Sequence, residues 1–383
     1  MLKKIRLTLA IVFWVLITWL LIDFTGTAHA YLGWMAKIQF VPALLALNIG
    51  ALLFVVTLTL LMGRIYCSVI CPLGVMQDAI AWLRKKKNKY NYSPAKNTLR
   101  YTMLVLACAT LALNIAWIGG LIFPYSAYGR IVAAIVAPLY KLANNGLAAI
   151  AEHYNSYAFY EVDVWLKSTA ALIVALLTWT IIAILAWKGG RTWCNTICPV
   201  GTLLGFVSRY SLFKPTIDTS KCSGCNLCAR NCKASCIDSK NKEIDYSRCV
   251  TCMDCMESCN KGAMGYRYAG FGKATKKQAE TSTGNNGRRE FLSAGAMVTA
   301  GSLLAQANKK VDGGLAIIED KKIPERGTPI VPVGAGSLKN FTTHCTACQL
   351  CVSKCPNNVL RPSNSIDRFM QPEMSFERGF CRT

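Results

Sequence analysis

The chain of 383 residues is 53% hydrophobic and only 16% charged, with mean hydropathy +0.31 and 43 Lys+Arg against 20 Asp+Glu, a formal charge of +23. So apolar and sparsely charged a composition excludes an ordinary soluble enzyme of this length and directs the search to membrane spans. The 19 Cys, nearly all in short-spaced runs, point to metal or redox chemistry rather than a secreted disulfide framework, and three His (His29, His153, His344) without a Cys-x-x-Cys-His argue against haem.

In chain order, four stretches are long and apolar enough to span a bilayer, at about 7–24, 39–62, 101–123 and 168–187, and a weaker fifth lies at 291–307. The first has a second reading as a signal peptide, because Lys3, Lys4 and Arg6 precede an apolar run ending in Ala28-His29-Ala30. Loop charges orient the set. Residues 1–6 carry three basic groups and no acidic one, 63–100 carry eight against one, and 188–289 carry 17 against 7, whereas 124–167 is balanced at three against three. The positive-inside rule then places the N-terminus, 63–100 and 188–289 in the cytoplasm and 124–167 outside. Most of the positive charge is thus a topology signal, and the run Arg84-Lys85-Lys86-Lys87 reads as a contact with anionic head groups rather than with nucleic acid.

An internal repeat follows the second and fourth spans. Arg64-Ile65-Tyr66-Cys67-Ser68-Val69-Ile70-Cys71-Pro72-Leu73-Gly74 recurs 127 positions later as Arg191-Thr192-Trp193-Cys194-Asn195-Thr196-Ile197-Cys198-Pro199-Val200-Gly201. Two helical hairpins closed by the same loop predict a mainly α, four-helix transmembrane unit with four cysteines at one membrane face. Cys67, Cys71, Cys194 and Cys198 have two readings. Free thiols pack helix ends as small hydrophobes; alternatively, two Cys pairs at i and i+4 converge on a redox or metal centre of Fe–S, Cu(I) or Zn type, with Arg64 and Arg191 favouring thiolate. Cys108, alone in mid-span, reads as packing.

The sharpest pattern is Cys222-x2-Cys225-x2-Cys228-x3-Cys232 followed by Cys249-x2-Cys252-x2-Cys255-x3-Cys259, the spacing of a small α+β ferredoxin with two [4Fe–4S] clusters. Three close cysteines wrap one cluster and the fourth reaches the other. Cys222, Cys225, Cys228 and Cys259 are therefore assigned to one cluster, and Cys249, Cys252, Cys255 and Cys232 to the second, with Cys236 an alternative remote ligand. A third run, Cys345-x2-Cys348-x2-Cys351-x3-Cys355-Pro356, has the spacing for one further cluster. Its fourth ligand is open between Cys355 and Cys381. Ending at Cys381-Arg382-Thr383, the chain reads as cut within a further motif or as completed by a partner. Before this run, 270–290 reads as a linker, and Gly287-Arg288-Arg289-Glu290-Phe291-Leu292 either as a twin-arginine export pattern or as basic residues flanking a span. Both readings put the residues beyond about 308 outside. The domain plan is a transmembrane unit at 1–205, a cytoplasmic ferredoxin domain at 206–270, a linker and apolar segment at 271–310, and an external, incomplete ferredoxin-like segment at 311–383.

These motifs resemble the NapH-type membrane ferredoxins of periplasmic nitrate reductase systems over about 1–270, and 285–383 resembles the start of a NapG-type exported ferredoxin. The same loops occur in NosR-like and CcoG-like relatives. The NapH resemblance implies a protein of the cell inner membrane that oxidises quinol and relays electrons to a periplasmic reductase or cytochrome, with other ferredoxin subunits as partners. Arg64, Tyr66, Arg191 and Trp193 stand at the depth expected of a quinol head group. The CcoG resemblance implies the alternative of copper handling in the maturation of a respiratory enzyme.

Overall fold

The structure, a computed structural model, describes residues 2–84, 90–154, 156, 159–164, 166–270, 328–376 and 380–381, and the backbone of 311–312 and 316–317. It divides into one unit of residues 1–272 and 326–383 and another of 273–325. In the smaller unit Val311–Asp312 pairs antiparallel with Ala316–Ile317. The sequence elements at Arg288-Arg289 and 291–307 lie outside the described residues.

The first helix, Leu2–Ile22, is apolar on all sides, as a helix with lipid around it must be. Ile17, Leu20 and Leu21 are buried in the bundle, while Leu9, Val12, Val15 and Trp19 face outward. The expected span at 168–187 is continuous as Thr169–Gly189, capped by Ser168 Oγ, which accepts from the Ala171 N–H at 3.2 Å.

The expected spans at 39–62 and 101–123 are broken. Leu47 turns left-handed at φ 50° and Asn48 caps a new helix, Ile49–Met62, by accepting from the Ala51 N–H. Asn114, at φ 59°, separates Asn97–Ala112 from Ala116–Ile122. Asparagine tolerates the left-handed region and competes for backbone hydrogen bonds, so one such residue interrupts an apolar run that a hydropathy window averages over. Conversely, 124–153, read as part of an external loop, is a continuous helical stretch of 30 residues, long and apolar enough to cross a membrane. It comprises Pro124–Ile131, a π-helical turn at Val132–Val136 and Ala137–His153. Arg130, Lys141 and Glu152 had obscured it. Three helices among the described residues, Leu2–Ile22, Pro124–His153 and Thr169–Gly189, thus have span length and composition.

The repeat recurs as structure. Gly63 at φ 74° and Gly190 at φ 66° each end a long helix, a conformation glycine adopts without penalty. Each is followed by an Arg, a five-residue helix bearing the first Cys (Ile65–Val69, Thr192–Thr196) and an extended second Cys. Pro72 and Pro199, whose missing N–H is harmless at a helix start, then open helices Pro72–Leu83 and Pro199–Ser208.

The ferredoxin segment is framed by antiparallel strands Phe213–Ile217 and Met264–Tyr268, with a second pair at Ile237–Asp238 and Glu243–Ile244. Residues 328–376 form a similar small module, with helices Leu338–His344 and Leu350–Lys354 and the pair Leu360–Pro362 with Pro372–Met374.

Candidate functional site

All three cysteine runs wind the same backbone loop. The residues flanking the second cysteine are left-handed in each: Gly224 (φ 72°) and Asn226 (φ 64°) around Cys225, Thr251 (φ 51°) and Met253 (φ 63°) around Cys252, Ala347 (φ 54°) and Gln349 (φ 64°) around Cys348. Five of these six are not glycine, so the conformation carries a local cost that only a shared purpose accounts for. Such loops turn successive backbone N–H groups inward, the concavity that receives an anionic cluster.

Cys222, Cys225, Cys228 and Cys259 line one cavity of about 160 Å³, the grouping assigned from cluster exchange. Cys249, Cys252, Cys255 and Cys232 line a second, of about 10 Å³, together with Cys236. The Cys232 and Cys236 sulfurs stand 3.5 Å apart, and hydrogen bonding with Cys236 pulls the Cys232 thiol below its ordinary value against the opposing effect of burial. Among the described residues no three His, Cys, Asp or Glu side chains converge as tightly as one metal ion requires. Four thiols around the larger cavity suit a multi-iron cluster instead, and the cysteine sets present fit such a group by their number and thiolate chemistry. When bound, it supplies a one-electron carrier whose potential the surrounding hydrogen bonds and burial tune.

Cys67, Cys71, Cys194 and Cys198 are all buried and close enough to sense one another's charge. The two repeats hold them by reciprocal bonds. Arg64 Nη2 donates to the Cys194 carbonyl at 3.1 Å, and Arg191 Nη1 to the Cys67 carbonyl at 2.5 Å. The glycines of the motif make room for this crossing: a Cβ on Gly74 would lie 2.2 Å from Cys67 O, and one on Gly201 2.2 Å from Cys194 O. Gln77 Nε2 donates to Cys194 Sγ at 3.2 Å.

Of the four residues placed by sequence at a quinol head group, Arg64 and Arg191 are fully buried and bonded to protein. Tyr66 OH donates to Gln39 Oε1 and accepts from the Phe40 N–H, both at 3.0 Å. Trp193 is buried, and its Nε1 has no hydrogen-bond partner.

Asp78, which sequence reasoning passed over, joins the parts. Arg191 reaches both its oxygens, at 2.8 and 2.7 Å, Arg6 bonds it at 2.5 Å, and Lys233 lies 3.7 Å away. Burial opposes ionisation, but the charges of Arg191, Lys233 and Arg6 hold the carboxyl well below the usual carboxylate range. Its signal in sequence was its standing as the lone acid among the eight bases of 63–100.

The thiol set lies between the two ferredoxin regions. On one side Arg191 N–H donates to Lys233 O at 2.9 Å, Asn195 Nδ2 to Ala234 O at 3.3 Å and Arg64 Nη1 to Ser247 O at 3.1 Å, all beside the second cysteine set. On the other, Pro72–Leu83 packs on Pro124–Ile131, and that helix carries the third run. A Cβ on Gly129 would lie 2.2 Å from Cys348 O, and Ser126 Oγ donates to Thr346 Oγ1 at 2.9 Å. The first helix marks the scale. Lys3 pairs with Asp254 and Glu257 at its start, while Leu21 and Ile22 meet Gln349, Val352 and Ser353 at its end. Its 21 residues span about 30 Å at 1.5 Å per residue.

In the third run Cys345 senses the charge of Cys348 and Cys351. Cys355 stands with Cys351 near Lys167, whose Nζ donates to Val352 O at 2.6 Å and whose pKa burial lowers to about 8. Cys381 is exposed, next to Phe380, whose carbonyl accepts from Asn357 Nδ2 at 2.7 Å. Cys108 is exposed on its helix rather than packed.

The 4Fe-4S binding domain family matches residues 44–90 and 171–218, the two copies of the repeat. Ferredoxin-type protein NapH of Escherichia coli is 27% identical over 228 residues, 57% of this chain and 67% of that protein. The chain resembles the NapH-type ferredoxins. The methylamine utilization ferredoxin-type protein MauN of Paracoccus denitrificans is 26% identical over 210 residues, covering 53% of this chain and 57% of its own length. An uncharacterized protein of Methanocaldococcus jannaschii is 26% identical over 254 residues, 66% of this chain and 83% of that protein. No solved structure matches the chain. The chain thus carries matches to a 4Fe-4S binding family and resembles ferredoxin-type proteins, and three of its described helices have membrane-span length and composition.

Proposed function

We propose that the protein accepts electrons from membrane quinol and relays them through its clusters toward an extracytoplasmic reductase, such as a nitrate reductase. A quinol gives up two electrons and two protons, whereas each cluster takes one electron, so several centres in series match the donor. The observation that carries the reading is the placement of three thiol regions along the first helix. The 222–259 pair lies at its start, the 345–355 run at its end, and the four repeat cysteines between them. About 30 Å of hydrocarbon is too wide for one electron step, and Cys67, Cys71, Cys194 and Cys198 supply the intermediate centre. In this reading the chain sits in the inner membrane with 188–289 cytoplasmic, and 285–383 begins an exported-ferredoxin-like segment.

An anaerobic titration of the solubilised protein with a menaquinol analogue, followed by visible bleaching and EPR, tests it. Quinol reduction of the clusters is expected. Clusters that dithionite reduces but quinol never touches would overturn it. Stoichiometric copper on the four repeat thiols would then favour the metal-handling role that CcoG-like proteins suggest.

A further inference from the structure

At the far end of the first helix an open cleft with a cavity of about 70 Å³ lies between the bundle and the third cysteine run. Its wall is mostly apolar, from Leu21, Ile22, Ala134 and Pro138 to Val352. Part of that wall is the π-helical turn Val132–Val136, a distortion that proteins keep mainly where it serves a site. Three cations, Arg130, Lys141 and Lys167, line it, and no acidic side chain is among its described lining residues.

Two polar atoms of residues lining this cleft are buried without a partner among the described residues. Arg130 is buried to 1% exposure and spends its Nη groups on Gly120 O and Leu121 O, leaving Nε free to donate. Gln349, 3% exposed, donates through Nε2 to Met370 O and leaves Oε1 free to accept. Leaving a buried polar atom unpaired is costly, and a ligand of matching chemistry recovers that cost. Gln349 sits between Cys348 and Cys351 of the third run.

We propose that this cleft binds the ring of a membrane quinol or quinone. The inference rests on the quinol reading above and gives it a place distinct from the repeat loops. A flat ring with an isoprenoid tail fits an apolar cleft at the end of a membrane-length helix. A quinol hydroxyl both donates and accepts, matching Gln349 Oε1 and Arg130 Nε together. A lipid phosphate, which only accepts, would satisfy the cations and leave Gln349 Oε1 unpaired.

The test is equilibrium binding of a fluorescent hydroxyquinoline N-oxide quinol analogue to the full chain in detergent. Three proteins are compared: wild type, Ala134→Phe, which fills the cleft, and Leu177→Phe, which puts the same new side chain on the exposed face of another helix. Iron content and cluster spectra check that each variant is intact. Quenching by wild type and Leu177→Phe, with binding at least about tenfold weaker in Ala134→Phe, is the expected result. Gln349→Leu weakens binding in the same direction. Equal binding by Ala134→Phe and wild type would overturn the proposal, as would displacement of the analogue by phosphatidylglycerol but not by menaquinone. If menaquinol still reduces the clusters of Ala134→Phe at the wild-type rate, the cleft is wrong and the quinol reading stands. If menaquinol reduces no variant and the analogue binds none, both fall.

Discussion

The two ferredoxin regions reach the same loop geometry with different support. Residues 213–268 carry two cysteine runs that brace each other. They share a core of Ala229, Cys232, Ile237, Val250 and Met264, and the outer strand pair closes on itself over five residue pairs. Residues 328–376 carry one run, and its Cys348 and Leu350 pack into the core of the membrane bundle. There Gly120 and Gly129 let the carbonyls of Thr346 and Cys348 approach the helices. A paired motif builds its own wall around a cluster; a single motif takes its wall from a neighbour. The stability of the third run should therefore follow the bundle, and that of the first two should follow their own core.

Five substitutions break or sharpen this contrast. The largest effect is expected at Asp78→Asn, which leaves Arg6 and Arg191 without their buried counter-charge. Breaking such a group costs about 3–5 kcal/mol, and a fall in melting temperature with loss of iron from both regions should show it. Because the folded carboxyl lies below its ordinary value of 3.8, its contribution is present above that value and is lost as the pH falls below it. Acid titration of the wild type should show a destabilisation in that range that the variant lacks.

Gly129→Leu comes next. Its side chain has no room beside Cys348 O, and forcing extra atoms into a packed site costs about 1–3 kcal/mol or more. Iron analysis with EPR should show loss of the third cluster while the pair at 222–259 remains. Ser126→Ala removes one hydrogen bond to Thr346, about 1 kcal/mol. The loss should appear as faster release of iron from the third site to a chelator, with the other two unchanged. The smallest effect is at Cys236→Ala, which should keep full iron content and alter only the spectrum or potential of the second cluster. Cys232→Ser should disrupt that cluster.

The grouping of the cysteines was legible before the structure, because it is written in short spacings along one stretch of chain. The cavity that gathers Cys222, Cys225, Cys228 and Cys259 repeats the grouping expected from the runs alone. The repeat was legible for the same reason, although Gly63 and Gly190, which stand in register just before it, went unread. Two expected spans were not continuous, since Asn48 and Asn114 weigh little in a hydropathy average yet decide where a helix stops. The helix at 124–153 was hidden by charged and amide side chains along it. Asp78 was beyond reach of local reading, because its meaning comes from Arg191, 113 positions away. Nor could spacing show that the third run lies on the bundle, a contact that joins residues 126 and 346.

The central claim is that the four repeat thiols connect the two ferredoxin regions, and electron passage between those regions tests it most directly. The protein is reconstituted into sealed vesicles, a membrane-impermeant reductant is supplied on the side of the 345–355 run, and freeze-quench EPR follows reduction of the 222–259 clusters. The comparison is with a variant carrying Ser at Cys67, Cys71, Cys194 and Cys198 whose iron at the other three sites is intact. The account predicts that electrons cross in the wild type and stop in the variant. Passage at the wild-type rate without those four thiols would contradict it.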